Sequence, residues 1–314
     1  MPAFLPRLLA GFAVVVLAGC AGPPLQYPGV IEDSATAPSR VELAEVPFHP
    51  QEAYQCGPAA LATVLEFSAV EGADPDTLKD QVYLPERRGS LQAELLGAAR
   101  RAGRIPYTLE PELEHLLAEV RAGHPVLVLQ NLALPALPRW HYAVVVGYDL
   151  EEQRVFLRSG TTKREVLSLR RFERTWQMAD YWAVVVPEPG RLPATAEEHR
   201  YLAAVAAVES QQRSAVAADG YRAADARWPD NPASRLGLGN IAYRQGAHEE
   251  AAEHYRAAVA RAPELAAAHY NLAWALARQQ NADAALAAAA EARRLAPDHP
   301  RYGEAVRTLQ AELD

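Results

Sequence analysis

Proline recurs at positions 229, 263 and 297, an interval of 34 residues, and alanine keeps the same interval at Ala217, Ala251 and Ala285, as do Tyr221 and Tyr255. A fixed period of that length restricts the architecture more than any other feature of the chain. A unit of this size cannot bury its own apolar face, so successive copies must stack and share one core. The clearest unit runs from Pro232 to Leu265, with Leu238, Gly239, Ala251, Tyr255, Ala258 and Pro263 in phase. The units at 198–231 and 266–299 depart from it, with Val205 and Ala273 in place of the glycine and Ala289 in place of the aromatic. Small residues where helices cross, with a proline closing each unit, predict an all-α array over 198–314, its final stretch from about 300 serving as a cap.

Residues 45–187 follow another pattern. Cys56 to Val70 has the broad apolar face of a buried helix, through Ala59, Ala60, Leu61, Val64, Leu65 and Phe67. Shorter helical stretches are expected at about 74–82, 91–103 and 111–121. Strand signals then take over at 125–130, 141–148, 154–158, 164–168 and 181–187, with a polar hairpin loop at 149–153. Helices first and strands second predict an α+β domain, a helical lobe against an antiparallel sheet. Residues 188–197, opening Glu-Pro-Gly-Arg-Leu-Pro, read as a proline-rich linker to the array. The net charge of −8 and the lack of a basic cluster interleaved with aromatics argue against nucleic acid as a partner. No metal-ligand spacing or glycine-rich phosphate loop is present, so neither metal nor cofactor is expected. The histidines at 49, 115 and 124 and those of the repeats are expected at the surface, as are the charged residues of the repeats.

Residues 1–19 read as an export signal: Arg7 supplies the positive charge, and the apolar stretch from Leu8 to Leu17 is too short to span a membrane. It ends Leu17-Ala18-Gly19-Cys20, which resembles the lipobox of bacterial lipoproteins. That resemblance implies acylation of Cys20. Ala21 after the cysteine resembles the choice that sorts such proteins to the outer membrane, facing the periplasm. Residues 20–44 would then be a flexible tether with a reach of roughly 25–30 Å.

With Cys20 consumed, Cys56 is the one thiol left, and it opens a helix. Unpaired backbone N–H groups and the helix dipole favour a thiolate at such a position. Two readings stand: a reactive nucleophile, or a small apolar core residue. Gln51, the Cys56-Gly57 pair with Ala59 and Ala60, and the run from His141 to Tyr148 resemble the double-glycine-leader (bacteriocin-processing) peptidases, a papain-like cysteine peptidase group, over roughly 45–187. The 34-residue units resemble tetratricopeptide repeats. The first resemblance implies that Cys56 is the nucleophile, that His141 pairs with it and protonates the leaving amine, and that Gln51 helps bind the oxyanion, with Gln55 as the alternative donor. Gly57 lets a substrate carbonyl pass close to the backbone. The family expects an Asp or Asn at the start of the strand after the histidine strand; here the slot reads Arg158-Ser159-Gly160. Ser159 can accept a hydrogen bond from His141 but carries no charge, and Asp149 sits at the wrong end of the histidine strand.

The expected protein is a lipid-anchored envelope cysteine peptidase that hydrolyses a peptide or isopeptide bond, its repeats presenting a surface to a protein or peptide partner. A non-catalytic adaptor that keeps the peptidase fold as a binding module, and a cell-wall peptide amidase or transpeptidase, are the alternatives.

Overall fold

The computed structural model describes residues 23–33, 38–50 and 55–313; the signal segment, Cys20 and Gln51 lie outside them. The first half is a seven-stranded sheet between two helical layers. Its elements are α1 (Tyr27–Asp33), β1 (Arg40–Glu42), α2 (Cys56–Phe67), α3 (Pro75–Val82), α4 (Gln92–Arg101), β2 (Tyr107–Thr108), α5 (Leu113–Arg121), β3 (Val126–Asn131), β4 (Trp140–Asp149), β5 (Arg154–Ser159), β6 (Thr162–Ser168), α6 (Leu169–Gln177) and β7 (Ala183–Val185). All strand pairs are antiparallel, in the order β2-β7-β3-β4-β5-β6, with β1 beside the far end of β4.

Both faces of the central strands are covered, which is why β3 and β4 read as nearly continuous apolar runs rather than alternating ones. Tyr142, Val144 and Val146 of β4 pack with α2, α3 and α4, whereas Ala143, Val145 and Tyr148 pack with α5 and α6. The alternation changes phase at a bulge opposite β5, between Val145 and Gly147. A Cβ on Gly147 would lie 2.5 Å from the Val41 carbonyl oxygen, so only glycine lets β1 close on β4 there.

The second half is helical throughout its regular structure: α7 (Glu198–Glu209), α8 (Ser214–Arg227), α9 (Pro232–Arg244), α10 (His248–Arg261), α11 (Ala266–Arg278), α12 (Ala282–Leu295) and α13 (Pro300–Leu313). Pro229, Pro263 and Pro297 each follow a helix end, and Pro232 and Pro300 occupy first turns, where the missing N–H costs nothing. A Cβ on Gly239 would sit 2.5 Å from the Tyr255 ring, and one on Gly237 would sit 2.4 Å from Tyr221. The glycines of the clearest unit are thus the notches that receive ring edges within and between repeats. No described helix is long and apolar enough to cross a membrane.

Three expectations need correction. The flexible tether is not free over its described part, because residues 23–33 and 38–44 are bound to the domain. Glu173, buried in α6, accepts the N–H groups of Gln26 and Tyr27 and so caps α1. The Gln26 side chain in turn accepts the Leu113 N–H at 2.6 Å, capping α5. Residues 188–197 do connect the two halves, and this linker is strapped to the domain near its end. The buried Glu119 carboxylate accepts the N–H groups of Ala194 (3.1 Å) and Thr195 (2.8 Å), the Thr195 hydroxyl (2.6 Å) and His124 Nδ1 (2.6 Å). His124 is therefore buried, not a surface histidine. Asp225 of α8 is no solvated surface charge either, since it holds Arg235 at 2.6 Å and Arg261 at 2.5 Å across the repeats.

Candidate active site

The first residue of α2 is Cys56, and its N-cap, Gln55, makes no side-chain hydrogen bond to the helix start. The backbone N–H groups of Cys56 and Gly57 are thus left to face the sulfur, which also accepts the backbone N–H of Tyr142. Tyr142 directly follows His141 on β4, so the pairing of α2 with β4 carries the imidazole to the thiol's surroundings from a distant part of the sequence. Cys56, His141 and Ser159 all line one cavity of about 1260 Å³.

His141 Nε2 lies 2.9 Å from Ser159 Oγ. When the Nε2 proton is donated to that hydroxyl, Nδ1 carries the lone pair and is the basic nitrogen. A neutral hydroxyl orients the ring but cannot stabilise an imidazolium as a carboxylate would, because a charge-assisted hydrogen bond is roughly twice as strong. Asp149 plays no part in this cavity: it accepts the Glu152 N–H at 2.9 Å and pairs with Arg40 at 3.7 Å, at the opposite end of β4. Arg158, in the same slot as Ser159, is buried and donates to the carbonyls of Ala44, Val46 and Lys163. It fixes the path of the chain leading toward the nucleophile and offers no charge to His141.

Burial dominates the electrostatics. It pushes the Cys56 thiol up, against the opposing pull of the Tyr142, Gly57 and Cys56 N–H groups. It pushes His141 below the ordinary imidazole value; Glu165 opposes the shift and Arg139 adds to it. Desolvation disfavours whichever form is charged. For both groups burial thus favours the neutral form, thiol and imidazole, against the thiolate that the helix-terminus position alone suggests.

Several residues of the site carried no signal in the sequence. Ser90 comes from the turn after β-bridge partners Leu84 and Gly89, and its carbonyl accepts the Tyr142 hydroxyl at 3.1 Å. A Cβ on Gly57 would meet Ser90 Oγ at 2.5 Å, so Gly57 is needed for this turn to close over the start of α2. Arg139 and Glu165 flank His141 from β4's approach and from β6. Trp140, the residue before His141, is exposed at the rim of the cavity. Of the two oxyanion candidates, Gln51 lies outside the described residues, and Gln55 uses its carbonyl to accept the Ala59 N–H at 3.2 Å.

Comparison with known proteins matches residues 43–184 to the Peptidase_C39 like family. Residues 201–266 and 242–313 match two tetratricopeptide repeat families. No curated relative matches the chain. Among solved structures, a C39-like peptidase from Bacillus anthracis is 18% identical, with a TM-score of 0.40, covering 48% of this chain and 98% of that one. The first repeat domain of Spaghetti (RPAP3), bound to an HSP90 peptide, is 17% identical with a TM-score of 0.36, covering 37% and 92%. The Yersinia enterocolitica type III secretion chaperone SycD, in complex with a peptide of the translocator YopD, is 13% identical with a TM-score of 0.35, covering 37% and 94%. This chain accordingly carries a Peptidase_C39-like domain followed by a tetratricopeptide-repeat array.

Proposed function

We propose that the protein is a cysteine peptidase whose Cys56 and His141 hydrolyse a peptide or isopeptide bond, with the repeat array holding a protein or peptide partner. One observation carries this reading: the thiol at the start of α2 and an imidazole oriented by Ser159 share the same large cavity. Substrate binding brings the carbonyl carbon to the Cys56 sulfur. The sulfur attacks as its proton passes to His141 Nδ1, and the carbonyl oxygen takes the negative charge. The Cys56 N–H at the helix start, with Gln51 by resemblance, stabilises that oxyanion. Collapse breaks the carbon–nitrogen bond, and the imidazolium gives its proton to the leaving amine. Water, deprotonated by His141, then cleaves the thioester and restores the thiol. The cycle consumes one water and needs no oxidant, metal or cofactor.

The Cys20 motif supports placing the enzyme on the periplasmic side of an outer membrane, held by its acyl chains. Radiolabelled palmitate incorporated into the wild type and lost in Cys20→Ser tests that placement. Hydrolysis is tested by incubating the purified chain with unfolded proteins and, separately, with cell-wall peptides, and reading products by mass. Cleavage of the first that disappears in Cys56→Ala and His141→Ala supports the peptidase. Cleavage of the second alone makes it a cell-wall amidase. Binding of a partner by the repeats with no product from either leaves the adaptor.

A further inference from the structure

The cavity is rimmed by apolar surface that the core does not use. The connection between β3 and β4, residues 132–139 (Leu-Ala-Leu-Pro-Ala-Leu-Pro-Arg), leaves Leu134 and Leu137 at 68% and 76% exposure, and Trp140 at 52%. This loop is held in one shape. Asn131 Oδ1 accepts the N–H groups of Ala133 (3.1 Å) and Arg139 (2.9 Å), the Leu132 N–H donates to the Arg139 carbonyl (2.9 Å), and Leu134 bridges to Leu137. Exposed apolar groups presented by a fixed backbone mark a binding surface more than a solvated turn. Leu132 and Trp140 continue from it into the cavity, where Leu91 also contributes to the wall.

The charges around the cavity are mixed but sorted along the chain. Arg87 and Arg88 come from the turn that carries Ser90 and Leu91, and Arg139 from the apolar loop; Glu165 and Asp180 come from β6 and the segment after α6. Cationic and apolar groups therefore share the segments 87–91 and 132–140. Resting on the peptidase reading of this site, we infer that its substrate is an extended peptide with a bulky aliphatic or aromatic side chain beside the scissile bond and an acidic residue nearby. The apolar side chain seats on Leu132 and Trp140, and the acidic one meets Arg87 and Arg88. A lipid surface would suit Leu134 and Leu137 alone. It does not account for Leu132 and Trp140, which line the recess that holds the thiol.

The test uses the full chain and a panel of peptidyl acyloxymethyl ketones, which label a catalytic thiol covalently. The panel carries Leu, Phe, Gly or Lys beside the reactive group and Glu or Lys at the next positions, and attachment to Cys56 is read by mass. Leu or Phe probes with Glu should label at least about tenfold faster than Gly or Lys probes. Leu132→Ser and Trp140→Ala should remove the apolar preference, and Leu132→Ile and Trp140→Phe should keep it. Arg87→Glu with Arg88→Glu should turn the Glu preference toward Lys. Equal labelling across the panel overturns the inference while leaving the peptidase intact. So does an unchanged preference in the serine and alanine variants, with loss of binding to anionic phosphatidylglycerol vesicles in Leu134→Ser and Leu137→Ser. If no probe reaches Cys56 although iodoacetamide does, it is the peptidase reading itself that fails.

Discussion

Cys56 and His141 both sit where desolvation outweighs the groups that would charge them, and this sets how the site responds to pH. With the thiol raised, the thiolate fraction grows only toward alkaline pH, so iodoacetamide should alkylate Cys56 with a rate that climbs through and beyond the ordinary thiol range of about 8.5. A flat rate from acidic pH upward would show an ion pair and contradict the neutral site. With His141 lowered, its basic form persists below the ordinary imidazole value, and the acid limb of kcat/KM should fall there, below about pH 6.5. Ser159 gives the imidazole a neutral hydrogen bond where a carboxylate would oppose the desolvation. Ser159→Asp puts a carboxylate against Nε2, raises the imidazole and should make alkylation measurable near neutrality. Ser159→Ala removes one neutral hydrogen bond and should lower kcat/KM by about fivefold, the worth of roughly 1 kcal/mol. Gly57→Ala should be more severe, since its Cβ would overlap both Ser90 Oγ (2.5 Å) and Ser90 Cβ (2.7 Å). The Ser90 turn must shift, and loss of activity with a destabilisation of about 1–3 kcal/mol in a urea melt is expected.

Among the elements, β4 does the most positioning: its first residues bring His141 into the cavity that Cys56 also lines, its middle packs on both helical layers, and its bulge flips Tyr148 to the opposite face. α6 was not anticipated, although Ser168 caps it and Leu169, Phe172 and Trp176 are spaced as one buried face. Its brevity and its six internal polar positions hid that face between two strand signals. In the array, the ring-into-glycine contacts make Gly239→Ala a test of the period. A methyl pressed on Tyr255 should cost about 1–3 kcal/mol in denaturant unfolding. A variant as stable as wild type would mean that the helices of this unit are free to move apart.

Across the whole molecule, the Peptidase_C39-like domain and the array share one core, which runs from β3 and β4 through α5 to Tyr201, Val205, Tyr221 and Leu238. Ile105 of the domain packs against Gly220 of α8, where a Cβ would lie 2.6 Å away. The Tyr107 hydroxyl accepts the Glu197 N–H at 3.0 Å and donates to the Thr195 carbonyl at 3.3 Å. The array is therefore docked on the face of the sheet opposite α2. Glu119 is the center of this junction. Burial would raise its carboxyl, but His124 and Thr195 outweigh burial and hold it below the ordinary value. A depressed carboxyl contributes stability above the unfolded pKa, and that contribution is lost as pH falls through the folded value. Acidification below about pH 4 should loosen the strap first, read as new protease cuts within 187–197. Glu119→Ala strands four donors at once and should cost about 3–5 kcal/mol and open the same cuts at neutral pH. Resistance of that variant to proteolysis would show that the shared apolar core alone holds the array.

Much of this was open to reading from the chain alone, for local reasons. The 34-residue period, the prolines after helix ends and the apolar run behind Cys56 are consequences of backbone geometry acting on neighbours, so they leave a mark in the sequence. Which fold class follows, and which residues are chemically able to act, could be read at that level. The rest depends on groups far apart in the chain: Glu173 on Gln26, Glu119 on Thr195, Ser90 over Gly57, and Arg158 on Ala44 and Val46. Whether a thiol or an imidazole is charged is likewise decided by how much water surrounds it. Burial is a property of the assembled fold, and no stretch of sequence carries it.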